Sequence, residues 1–320
     1  MKKYLAIVIA IILVVSVCAL SACDKEEITL YVPDGAPSLS VANIASSAKV
    51  GNQPVKTVIT TGEDVVAKCA SGEADMAVLP TNAAVKICSE SDTYQLVSVN
   101  VYGVLYIVGT QHVTSLADLQ GETLYSIGLG NTPEYVFKTI CDSQGVSYSG
   151  DKGITIKYEA DASTIIPQIL NGSAKFALIG EPAVTQLIAK ATSFGKTVET
   201  LFNLQQLWQE ATNSQQVGYP QASMIVKREL LTDKFAQKLY ETLEQNAEFL
   251  QNNVDSLSDI MQSNGSTLTV NYTKELLERC SLTVISAVNA KADIETYLST
   301  FAAMAKYLPV KDSVYYETND

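Results

Sequence analysis

The sequence predicts an α/β protein of two similar lobes joined by two crossovers. Three observations carry that expectation. Apolar strands alternate with helical stretches over short connections, one helix–strand–helix phrase recurs 100 residues further along, and two long extended runs lie between the copies.

The chain begins with Lys2 and Lys3 and an apolar run, Leu5 to Leu20, that closes on Leu20-Ser21-Ala22-Cys23. A membrane span needs about 20 apolar residues, and small residues end this run at a cysteine, so it reads as a signal peptide. The four-residue phrase resembles the bacterial lipobox. That resemblance implies cleavage before Cys23 and a diacylglycerol anchor on its sulfur; a plain N-terminal membrane anchor is the alternative. Either way the folded part lies outside the cytoplasm.

Without residues 1–22, Lys2 and Lys3 leave the 22 basic side chains, and 20 remain against 34 acidic ones, a formal charge of −14. This balance argues against nucleic acid or an anionic lipid surface as partner. It suits a soluble body on a short tether, Asp24 to Glu27. The remaining length points to two domains, and 47% hydrophobic content over the whole chain supplies two cores. Cys69, Cys88, Cys141 and Cys280 are widely spaced, with no metal-type pairs, and read as buried thiols; a Cys69–Cys88 bridge is the one pairing to check.

Ile28 to Val32 is an apolar strand, Pro33 to Ser38 a turn, and Leu39 to Ala48 helical. Val55 to Ile59 follows as a strand, then Thr60-Thr61-Gly62, a helix over Glu63 to Ser71, a strand over Ala74 to Leu79, and a helix opened by Pro80-Thr81-Asn82. This βαβαβα order predicts a mostly parallel sheet with helices on its faces. Laid 100 residues apart, Asp64 to Ala84 and Thr164 to Val184 match at Gly72/Gly172, Ala74/Ala174, Ala77/Ala177 and Ala83/Ala183. In the second copy Pro167 requires a helix that starts near Thr164, so that the proline falls in the first turn.

The stretch Ser115 to Tyr135 holds a second strand–turn–helix phrase. Ser115 caps a one-turn helix ended by Gly121, Glu122 to Ile127 forms a strand, and Gly128 to Asn131 a glycine-rich loop. Thr132 is the expected helix cap with Pro133 at the first position. Such a loop aims backbone N–H groups at a polar or anionic ligand. It lacks the third glycine of a dinucleotide fingerprint. Gln95 to Gly109 and Val217 to Lys227 are the extended runs, with Gly103 and Gly218 where each changes direction. They divide the chain into lobe I, residues 28–106 with 218–320, and lobe II, residues 107–217. Beyond them Phe235, Leu239, Leu243, Ala247 and Leu250 form one apolar helical stripe. Tyr272 to Arg279 and Lys291 to Lys306 are further helices, with Ser281 to Ser286 extended.

Several phrases are similar to those of the substrate-binding proteins of bacterial ABC importers, in the group that binds nitrate, sulfonates, taurine and hydroxymethylpyrimidine-type thiamine precursors. They are Ser115-Leu116-Ala117-Asp118-Leu119 with Gly121, Gly72-x-Ala74-Asp75 before a strand, Glu181-Pro182 after the matching strand, and the tail Leu308-Pro309 with Asp312 and Tyr315-Tyr316. The resemblance implies a type II periplasmic-binding-protein fold. In it two α/β lobes joined by two hinge crossovers close, as a monomer, on a small solute and present it to a membrane permease and its ATPase.

Loop position and that resemblance together place Asp34, Gly35, Thr60, Thr61, Thr81 and Asn82 of the first lobe in the cleft, with Gly130, Asn131, Thr132 and Glu181 of the second. Tyr102 and Tyr219 on the crossovers are candidates to stack on a flat ligand. Thr81 and Thr132 have a plainer alternative as helix caps, Glu181 as a solvated carboxylate, and the tyrosines as packing. Arg228 and Arg279, the chain's two arginines, fall in helical stretches outside these loops, whereas Asp34 and Glu181 bring negative charge to the cleft. That contrast favours a flat nitrogen heterocycle such as a thiamine-precursor pyrimidine over a nitrate- or sulfonate-type anion. A sensory or adhesive surface lipoprotein on the same fold is the alternative of another class. His112 is the one histidine, and no nucleophile, metalloprotease or paired-carboxylate motif accompanies it, so neither enzyme activity nor a cofactor or metal is expected.

Overall fold

Thr29 to Val32 and Val55 to Ile59 place β-branched and apolar residues at alternate buried positions, which suits a central parallel pair. The computed structural model of the chain describes residues 26–317. The expected signal peptide, the expected lipid-bearing Cys23 and the first residues of the expected tether lie outside these.

In chain order the strands are β1 (Ile28–Pro33), β2 (Lys49–Val50), β3 (Gln53–Thr60), β4 (Met76–Pro80) and β5 (Tyr94–Val101). Then come β6 (Leu105–Gly109), β7 (Thr123–Ser126), β8 (Thr155–Tyr158), β9 (Phe176–Gly180) and β10 (Glu199–Asn203), and finally β11 (Ala222–Lys227) and β12 (Leu282–Ser286). They form a seven-stranded sheet, β12-β5-β11-β4-β1-β3-β2, and a five-stranded sheet, β10-β6-β9-β7-β8. The chain leaves the first sheet after Val101 and re-enters it at Ala222; Leu105 and Tyr106, expected in lobe I, pair instead in the second sheet as the start of β6 and are counted with lobe II.

Five strands of each sheet share order and sense. In the first, β1 is parallel to β3 and β4, and β11 runs antiparallel between β4 and β5. In the second, β7 is parallel to β8 and β9, and β6 runs antiparallel between β9 and β10. The two copies of the recurring phrase thus occupy equivalent places, with β4 and β9 each between a parallel and an antiparallel neighbour. Gly72 and Gly172 take the same part: both lie at positive φ, 74° and 85°, just past a helix end. Each crossover delivers the antiparallel strand of the sheet it enters.

Local departures from the sequence reading have local causes. The helix containing Pro167 is Ala162–Asn171, begun two residues before the expected start because Asp161 caps it by accepting from Thr164 N at 3.1 Å. Pro167 falls in the second turn, on the solvent face, where the carbonyl left without a donor is not buried. Thr132 is not a cap: Asn131 holds the N-cap position of Thr132–Gln144. The helical stretch after β1 divides into Ala36–Leu39 and Ala42–Ser47. The stripe from Phe235 to Leu250 divides too, into Asp233–Glu244 and Asn246–Asn252, and the break exposes Ala247. Asn246 turns inward instead, accepting from Asn43 N at 3.0 Å and donating to the Leu39 carbonyl at 2.9 Å. Cys69, Cys88, Cys141 and Cys280 are buried free thiols.

One apolar cluster runs without interruption from lobe I (Val85, Tyr94) through Tyr102 and Tyr219 of the crossovers to Phe137 and Trp208 of lobe II. The C-terminal helix Lys291–Ser299 joins it. Tyr297 stacks on Tyr219, with centroids 6.0 Å apart and 13° between planes, and meets Trp208 and Phe301 edge-on. The two crossovers are also clasped by Gln205, only 2% exposed. Its Oε1 accepts from Leu105 N at 2.9 Å and from the Tyr219 hydroxyl at 3.4 Å, while its carbonyl accepts from Gly218 N at 3.0 Å.

Candidate functional site

Five helices, Gly62–Ala70, Thr81–Glu90, Thr132–Gln144, Ala162–Asn171 and Ala183–Ser193, begin directly behind strand ends, so their N-termini collect at one edge of each sheet. The two edges face each other. A Cβ placed on Gly35, in the loop after β1, would stand 3.9 Å from Pro182 Cδ in the loop after β9. On one flank Gln186 of lobe II donates to the Thr269 carbonyl of lobe I at 3.2 Å.

The loops hold the residues singled out from the sequence, but several are already engaged. Asp34 anchors the chain at Ser266 and Thr267, accepting from Ser266 Oγ at 2.7 Å and Thr267 N at 2.8 Å. Thr60 Oγ1 donates to Asp64, and Thr61 caps the following helix by accepting from Asp64 N at 3.2 Å. Thr81 is fully buried with its hydroxyl 2.7 Å from Ser223 Oγ. Asn82 is different: its buried Oδ1 has no protein partner. Gly130 and Asn131 are exposed, and Gly130 N donates to Glu134 at 2.6 Å. Burial pushes the Glu134 carboxyl up, but its bonds to Lys138 and Gly130 outweigh that and hold it below the usual range. Thr132 is buried, its hydroxyl 2.6 Å from the Tyr297 hydroxyl.

Three further candidates are buried and engaged by protein partners. Tyr219 is fully buried, its ring packed against Trp208 and Tyr297. Tyr102 is 4% exposed and donates to Asp293 at 3.3 Å; burial, with that carboxylate beside it, raises its pKa above the usual tyrosine range. Glu181, whose side chain is 0% exposed, accepts from Thr185 N and Thr185 Oγ1, both at 3.0 Å, and from Arg279 Nε. Arg279 therefore does reach the cleft edge. It closes the helix Lys274–Arg279, lays its guanidinium 4.4 Å over the Tyr106 ring, and donates from Nη2 to Thr200 Oγ1 at 3.2 Å. Tyr106 in turn donates to the Arg279 carbonyl at 3.1 Å. As one of two arginines, Arg279 was visible in the sequence; its reach across the lobes was not.

The electrostatic consequence is specific. Each lobe offers helix N-termini to the cleft, and the Glu181 charge there is compensated by Arg279. Among the described residues no group of three or more His, Cys, Asp or Glu is placed to hold a metal ion, and no helix is long and apolar enough to cross a membrane. Surface depressions of about 260, 210 and 350 Å³ lie on lobe I near Lys238 and Leu243, away from the cleft.

No protein-family model matches the chain, and no curated protein does. Solved structures match over nearly its full length. An ABC transporter protein from Parabacteroides distasonis superposes with a TM-score of 0.76 at 20% identity, covering 91% of this chain and 98% of that one. The chain adopts the type II periplasmic-binding-protein fold. The periplasmic aliphatic sulphonate binding protein SsuA from Escherichia coli matches at a TM-score of 0.67 and 13% identity, over 92% of this chain and 94% of its own. The periplasmic nitrate-binding protein NrtA from Synechocystis PCC 6803 matches at 0.55 and 12%, over 91% and 84%. Identities this low speak for the fold of a periplasmic binding protein and leave its ligand to be argued from the residues.

Proposed function

We propose that this protein is the solute-binding component of an ABC importer rather than an enzyme. It lies outside the cytoplasm, held to the membrane by a diacylglycerol on Cys23, and as a monomer closes its lobes on a small solute for delivery to a permease and its ATPase. Support comes from the two equivalent lobes, the facing helix N-termini, and neighbours of the same fold that bind sulfonates and nitrate. A compact anion such as a sulfonate is the favoured solute. The observation that carries this choice is the Arg279–Glu181 pair, which offsets the charge of a buried carboxylate at the cleft edge and so removes its opposition to an anion there.

A flat amino-heterocycle is the second reading. It loses Glu181, Tyr102 and Tyr219 as partners but gains from the unpartnered Asn82 Oδ1, which would accept from a ring amino group. A thermal-shift screen separates the two. At about 100 times the dissociation constant a cognate solute adds roughly 2.7 kcal/mol, or a midpoint shift on the order of 5 to 10 °C. Alkanesulfonates and nitrate should give that shift. A shift from aminopyrimidines alone would transfer the case to the heterocycle, and none from either set would favour a sensory or adhesive surface lipoprotein.

A further inference from the structure

We infer that Arg279 and Glu181 form a latch between the lobes that holds the cleft near its closed form before any solute arrives. Glu181 lies just past the end of β9 in lobe II, and Arg279 ends a lobe I helix two residues before the chain passes Tyr102, whose N–H donates to Ser281 O at 3.0 Å. The pair therefore bridges the lobes beside the crossovers. Its three lobe II contacts, with Glu181, Thr200 and the face of Tyr106, come from three different strands or strand ends, which fixes the guanidinium in direction as well as distance.

The burial makes the pair hard to separate. Arg279 is 31% exposed at its side chain and Glu181 not at all, so drawing the lobes apart at this point takes from Glu181 its one charged partner and leaves Thr185 as its remaining side-chain and backbone donor. The same bond also bears on affinity. A solute that binds the closed form has its apparent dissociation constant raised in proportion as that form is depopulated. Arg279 is thus a positioning residue, acting on the solute through closure.

The inference deepens the solute-binding reading, but its test needs no solute, so the two can fail separately. Small-angle scattering is recorded on the ligand-free mature protein and on E181Q/R279M, in which the glutamine still accepts from Thr185 and the methionine still covers Tyr106. The wild type should show a radius of gyration close to the compact value of about 19 Å for a chain this long, and the double variant a larger one. R279K is the second variant. It keeps the charge that Glu181 requires but loses the fork to Thr200, and should expand less. If a screened solute is in hand, the double variant should bind it up to about tenfold more weakly and associate faster. Identical dimensions for the wild type and the folded variants would overturn the latch, as would a wild type already expanded without solute; should E181Q/R279M not fold, R279K alone decides.

Discussion

Gly218 lies directly under the Tyr102 carbonyl: a Cβ at residue 218 would stand 2.2 Å from that oxygen, and the backbone there holds φ at 103°. The relation is reciprocal, since a Cβ on Gly103, at φ 80°, would meet the Tyr219 ring at 3.0 Å. Each crossover thus offers a glycine to the other's tyrosine. The two strands of the hinge are in contact with no room for a side chain between them.

Gly218→Ala should therefore cost about 3 kcal/mol, from the backbone strain of a left-handed alanine together with the displaced crossover. The midpoint of thermal unfolding should fall by roughly 6 to 12 °C. Gly145→Ala is the control, because that glycine has positive φ but open space around it and should cost only about 1 kcal/mol. Equal effects at the two sites would show that contact between the crossovers contributes nothing.

The Thr132–Tyr297 hydroxyl pair joins the glycine-rich loop of lobe II to the C-terminal helix. Both groups are buried, so Tyr297→Phe leaves Thr132 without its partner and should destabilise by about 1 to 3 kcal/mol. Thr132→Val on top of it should add little, because the second change removes a group that the first had already orphaned. Urea unfolding of the two single variants and the double variant measures this. Strictly additive losses would mean that the hydroxyls do not interact.

The buried thiols make stability fall at alkaline pH. Burial pushes Cys69, Cys88 and Cys141 up to about 12, and Cys280 moves the same way. In the unfolded chain these thiols ionise near pH 9, so above that the unfolded state loses protons that the folded state keeps. Their contribution is whole below pH 9 and declines from there to about pH 12; buried Tyr94 and Tyr102, whose pKa values are also raised by burial, act in the same direction at higher pH. Unfolding free energies should drop steadily between pH 8.5 and 11, and a thiol reagent at pH 8 should find these four cysteines only after denaturant is added. A level profile, or rapid reaction of the native protein, would contradict the burial argument.

Much of the architecture was legible in one dimension because it depends on local spacing. The apolar run of β4, the glycines that end helices at Gly72 and Gly172, and the match 100 residues apart are all properties of neighbouring residues, and they led to two equivalent sheets. The loops after the strands were legible for the same reason, and so was their place at the sheet edges. What each side chain does there was not. Whether Tyr219 faces a ligand or a Tyr297 lying 78 positions away, whether Thr132 caps its own helix or bonds to that tyrosine, and whether Glu181 is free or held by Arg279 depend on which distant segments arrive at the same point. Periodicity reports which face of an element is buried. Partners across the cleft are set by packing of the C-terminal segment over both lobes, and that is decided only when the whole chain has closed.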